Sequence, residues 1–127
     1  MDRAFVLTGL SYGILGIILG IYMASSHNHM QHVTHAHIML VGFLVSFVYG
    51  LCHKLWLSNS NSLLAKIQFF LHQAAAATML LGLFVSYGQY LPYYQIEAIL
   101  ITTTVVVLLA MLLMLILVYR SESYIAL

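Results

Sequence analysis

Seven histidines stand in a chain with only four Lys+Arg and three Asp+Glu. Five of them fall in one stretch, Ser26-His27-Asn28-His29-Met30-Gln31-His32-Val33-Thr34-His35-Ala36-His37. Imidazole is the commonest protein metal ligand, and its neutral form tolerates a membrane boundary. A metal or metallocofactor is therefore the first chemistry this stretch suggests. His35 and His37 are two apart, so on a helix they point about 200° away from each other and serve two different partners rather than one ion. The bland alternative is that both rings bond to water and loop carbonyls at the interface. His27, His29 and His32, with Met30 beside them, form a cluster of borderline and soft ligands suited to copper or zinc. The same cluster also reads as a solvated polar loop.

The remaining two histidines lie deeper in sequence. His72 falls about nine residues into an apolar stretch, roughly 13 Å along a helix from its start. An ionisable residue at that depth is a functional candidate, or else a neutral ring hydrogen-bonded to a hydroxyl on a neighbouring helix. His53 follows His35 by 18 residues, which places the two on one face but some 27 Å apart, too far to share a cofactor. Beside Lys54, His53 reads as a polar residue at the inner interface. Glu97 reads as an interfacial carboxylate capping the start of a helix.

The elements that must position these groups are set by hydropathy. The chain is 63% hydrophobic and 6% charged over 127 residues, which leaves no charged surface for a water-soluble domain. No Lys/Arg cluster offers the footprint that nucleic acid requires, so nucleic-acid binding is not expected. Spans at about 4–24, 33–56, 63–88 and 96–119 are each long enough to cross about 30 Å of hydrocarbon as helix. The fold class expected is all-α, a polytopic membrane protein with four transmembrane helices in a single domain. The first span, at about twenty apolar residues, exceeds a signal-peptide core and reads as a retained helix. The breaks are Ser25 to Gln31, the run Ser58-Asn59-Ser60-Asn61-Ser62, and Gly88 to Gln95 with Pro92, all rich in turn formers.

Arg3, Lys54, Lys66 and Arg120 all fall on one side of this plan, which predicts both termini and the middle loop in the cytoplasm of a cell inner membrane. The histidine-rich loop then faces outward. Tyr22, Tyr90, Tyr93 and Tyr94 near the outer boundary, and Trp56, Tyr119 and Tyr124 near the inner one, match aromatic belts. Gly9, Gly13, Gly16 and Gly20 in span 1, and Gly42, Ser46 and Gly50 in span 2, make small-residue faces for helix packing. Span 3 offers Ala74 to Ala77, Thr78, Gly82 and Ser86. Span 4, bulky from Val105 to Val118, is expected to face lipid most.

The segment His35-Ala-His37-Ile-Met-Leu-Val-Gly42-Phe-Leu-Val-Ser-Phe-Val-Tyr-Gly50 resembles the haem-copper oxidase and nitric-oxide reductase large subunit family, in particular small four-helix proteins related to it. Phe69-Phe70-Leu71-His72-Gln73 resembles a second stretch of those small relatives, aromatic-rich and ending in Leu-His-Asn. In the large oxidases twelve helices form three four-helix arcs, and this chain looks like one arc alone. The resemblance implies haem ligation by a His-x-His pair that serves two different haems, consistent with the divergent directions of His35 and His37. The departures are specific. No His-His pair is present, span 3 holds one histidine, Gln68 stands where some relatives carry another, and His53-Lys54 replaces Tyr followed by a basic residue. Oxygen reduction and proton pumping by this chain alone are therefore not expected.

The function expected is a haem b-binding membrane protein for electron transfer or small-ligand binding. His35, His37 and His72 are the candidate cofactor ligands, and His27, His29 and His32 the candidate metal ligands. A single cysteine, Cys52, excludes the paired-cysteine attachment of a c-type haem, so any haem is held non-covalently. The alternatives are copper or other metal-ion binding or transport by the outer cluster, or a cofactor-free accessory subunit. Partners expected are the lipid bilayer and further copies of the same chain. A homo-oligomer, with a trimer favoured, would hold cofactors between protomers, because four helices enclose too little interior for a haem and the glycine faces invite neighbours.

Overall fold

In the computed structural model, which describes residues 1–57 and 61–121, the chain is all-α with four helices long and apolar enough to cross a membrane. These are α1 (Asp2–Ser26), α2 (His32–Leu55), α3 (Leu63–Tyr87) and α4 (Tyr93–Arg120). Residues 58–60 of the expected middle turn, and Tyr124, lie outside the described residues. The chain is a multi-pass membrane protein. Side chains such as Ile14, Ile18, Ile21, Leu81 and Leu115 are more than half exposed, which is stable in hydrocarbon and would not be in water.

The helix ends follow local chemistry. α1 closes on His27, which takes the left-handed conformation at φ 54° in the role more often given to glycine or asparagine. The loop after it is tied by Asn28, whose side-chain oxygen accepts from the Met30 amide at 3.0 Å. Ser62 caps α3 by accepting from the Ala65 amide at 3.2 Å, satisfying one of the free first-turn donors. α4 begins at Tyr93, directly after Pro92, about a turn earlier than hydropathy suggests. Proline is compatible with a helix start because the N–H it lacks has no intrahelical partner there. Glu97 consequently lies past the first turn, exposed, and is not the cap expected of it.

α2 is interrupted by a π-helical segment, Ile38–Leu44, which the hydrophobic pattern does not reveal. One extra residue per turn changes which residues above and below it share a face. The His-rich start of α2 lies above this segment, and Ser46, Tyr49 and His53 lie below it.

α1 and α2 pack through glycine. A side chain at Gly9 would come within 3.1 Å of the Phe43 carbonyl oxygen, and one at Gly13 within 3.2 Å of the Phe43 ring. At Gly16 it would collide with the Met39 sulfur. From the other side, Gly42 receives the Tyr12 ring and Gly50 receives Val6. These faces meet within one chain, so they do not provide the surface for a neighbouring chain that the sequence suggested. Without a hydrophobic driving force between helices in lipid, such close approach is the main source of cohesion. α3 and α4 form the second pair, with Leu100 seated on Gly82. The two pairs join in an aromatic core of Phe5, Tyr49, Phe69 and Met114. α4 is the least buried helix, as its bulky sequence predicts.

Candidate functional site

His35 and His37 are both half-buried at the start of α2, and both are anchored through the same ring nitrogen. His35 Nδ1 lies 2.8 Å from the Gly16 carbonyl oxygen of α1. His37 Nδ1 lies 2.9 Å from the Val33 carbonyl oxygen one turn back on its own helix. A carbonyl oxygen only accepts, so in the neutral ring Nδ1 carries the proton and Nε2 keeps its lone pair. That tautomer, held by a backbone carbonyl, is the one found in metal-ligating histidines. Gly20 makes the His35 position possible, since a Cβ there would stand 3.1 Å from the ring. His35 thus faces α1 while His37 remains on the flank of α2, the divergence that their spacing predicts.

The outer histidines do not converge. His27, His29 and His32 are exposed, and His32 Nδ1 is taken up at 2.9 Å by the His29 carbonyl oxygen. Among the described residues, no group of three or more His, Cys, Asp or Glu side chains is arranged to hold a metal ion. A cleft of about 790 Å³ opens between the outer halves of α1 and α3 against Tyr12, Leu15, Gln31, Leu80 and Phe84. No histidine lines it. Gln31 closes its floor, donating to the Phe84 carbonyl oxygen at 2.9 Å and accepting from Thr34 Oγ1 at 2.6 Å.

Comparison with protein-family models, with curated proteins and with solved structures found no match for this chain.

A second polar group lies nearer the termini. His72 is fully buried, with Nε2 hydrogen-bonded to Ser46 Oγ at 3.2 Å and its ring edge-on to Tyr49 with centroids 5.0 Å apart. The bond to a hydroxyl on a neighbouring helix is the one expected of a neutral buried ring, but it engages only Nε2 and leaves Nδ1 without a partner. Ser46 follows His37 by nine residues, so His72 sits on the order of 13 Å along α2 from the outer pair. The structure therefore does not bring His72 together with His35 and His37. His53 lies two residues before the end of α2 at Leu55, beside Lys54, but turned into the bundle. It is 1% exposed, and its ring stands 5.2 Å from that of Phe5. Phe5 projects from α1 into the bundle and lies against one side of the His53 ring, which takes it out of contact with the surface.

Sequence reasoning overlooked Tyr49, Ser46 and Gln68 as members of this group. Tyr49 and His53 on α2, and Gln68 and His72 on α3, are each four residues apart and so share a helix face. That matched spacing was the available signal. Several of their polar atoms have no hydrogen-bond partner in the protein, namely the Tyr49 hydroxyl, both ring nitrogens of His53, Gln68 Oε1 and His72 Nδ1. Leaving such an atom buried and unpaired costs about 1–3 kcal/mol each, so a cluster of them is not explained by packing.

Proposed function

We propose that this chain binds haem b in the membrane through His35 and His37 and serves electron transfer or small-ligand binding, as one four-helix arc of the oxidase-related kind. The observation that carries the reading is the anchoring of both rings through Nδ1 to backbone carbonyls at 2.8 and 2.9 Å. It fixes the tautomer and turns Nε2 of each ring into a pre-oriented ligand. No charged first ligand is required, which suits a low-dielectric site.

Neither ring lines the open cleft of its own chain, and a haem needs apolar walls on both faces. The divergent rings support a site completed by a second copy, in which His37 of one protomer and His35 of the next would together hold one haem. Repeated around a closed ring, such a heterologous contact gives equivalent sites, and a trimer is the assembly we favour. The inner membrane, with both termini cytoplasmic, is the location that the one-sided placement of Arg3, Lys54, Lys66 and Arg120 supports. Purification from cells supplied with a haem precursor tests the reading. A Soret band with the split visible bands of a six-coordinate b-type haem is expected, and a colourless protein contradicts it.

A further inference from the structure

The buried polar cluster around Phe5 is independent of the haem reading and points to a separate activity. Phe5 stands at its centre, with ring centroids 5.4 Å from Tyr49, 5.2 Å from His53 and 6.2 Å from His72. Gln68, fully buried, donates to the Ala110 carbonyl oxygen at 3.3 Å. Its Oε1 has no hydrogen-bond partner in the protein, and its side chain lies beside the His53 ring. The cluster therefore has two rungs, His53 with Gln68 nearer the termini and Tyr49 with His72 one turn deeper. Beyond the second rung the hydrogen bonds continue. His72 meets Ser46, and Gln73 donates to Ser46 Oγ at 3.4 Å and to Thr8 Oγ1 at 3.0 Å. Thr8 and Gln73 line a small cleft of about 260 Å³ with Ser11 and Tyr12.

The unpaired atoms identify the ligand by chemistry. They include ring nitrogens that donate or accept, an amide oxygen that only accepts, and a hydroxyl that does both. A single cation would not satisfy such a mixture, whereas water, with two donors and two acceptors, would. We propose that Tyr49, His53, Gln68 and His72 form a hydrated proton relay, which binds water and passes protons between the end of the bundle that carries the termini and the chain of Ser46, Gln73 and Thr8. In each step an excess proton carried by one water passes to the lone pair of a ring nitrogen, the opposite ring N–H releases its own proton to the next water, and the ring then turns over to restore its first tautomer. Net charge on the ring returns to zero after each passage. The charged groups that act on His53 are the amino terminus and Asp2 from α1, with Lys54 beside it on its own helix; from α4 the Ala110 carbonyl oxygen holds Gln68.

Water-to-imidazole magnetisation transfer in protein labelled with ¹⁵N-histidine and held in lipid nanodiscs tests the relay. His53→Phe and His72→Phe assign the two buried rings. The expected result is transfer from water to both, comparable with that of the exposed His27, His29 and His32. Gln68→Leu should reduce transfer to His72 by roughly an order of magnitude while leaving the exposed rings unchanged. Tyr49→Phe, which removes only a hydroxyl and keeps the packing, should reduce it several-fold. Dry rings at His53 and His72 in the wild-type protein would overturn the proposal. So would transfer to His72 that is unaltered in both the Gln68→Leu and Tyr49→Phe variants.

Discussion

His35 Nδ1 and the Gly16 carbonyl oxygen stand 2.8 Å apart across the α1–α2 contact. This single bond couples the glycine face of α1 to the orientation of the outer ring. Because Gly16 and Gly20 carry no side chains, α2 approaches closely enough for an imidazole to reach the α1 backbone, and Nε2 keeps its lone pair.

Gly20→Val should therefore act on cofactor binding before it acts on the fold. A β-branched side chain would occupy the space of the His35 ring, whose Cε1 already stands 3.1 Å from the Cβ position. Haem affinity should fall about 10-fold or more, the usual cost of disturbing the group that orients a ligand. Titration of apoprotein with haem, followed by absorbance, measures it. Circular dichroism should show an unchanged helix content.

Phe5→Ala removes the ring on which Tyr49, His53, Phe69 and His72 all pack. In lipid the transfer term is small, so the loss is chiefly of dispersion contacts and of the filled space, on the order of 3 kcal/mol. Unfolding in mixed micelles with increasing SDS should show the midpoint displaced toward lower detergent. An unchanged midpoint would mean that the aromatic core contributes little to holding the two helix pairs together.

The orientation in the membrane is open to chemical labelling. In a Cys52→Ser background, Asn28→Cys should react with a membrane-impermeant maleimide added to intact cells, and Lys66→Cys only after permeabilisation. The reverse pattern would place the histidine-rich loop in the cytoplasm.

The span count, the helix-packing glycines and the lipid-facing character of α4 were legible in the sequence, because each depends on composition along one helix. Three features were not. The π segment from Ile38 to Leu44 changes the register of α2 without any mark in hydropathy. The burial of His53 depends on Phe5, 48 positions earlier, crossing to lie against its ring. The start of α4 at Tyr93 was hidden by Pro92, which reads as a loop residue but sits equally well at the head of a helix. The divergence of His35 and His37 followed from helical geometry, whereas their carbonyl anchors needed the α1–α2 approach to be seen.

The trimer we propose rests on the same geometry. Mass measurement of the haem-loaded protein in mild detergent should give three copies of the chain with one equivalent haem site per interface. A haem-loaded monomer would contradict sites shared between protomers, because one chain would then have to supply both walls of the pocket.

The most direct measurement of the central claim is the amount of haem bound per chain, determined as the pyridine haemochrome for the wild-type protein and for His35→Ala, His37→Ala and His72→Ala. The account predicts that His35→Ala and His37→Ala each lose the haem or convert all of it to a five-coordinate form. His72→Ala, some 13 Å away along α2, should keep the full six-coordinate complement. Six-coordinate haem surviving in both outer variants, or lost on substitution of His72 alone, would contradict it.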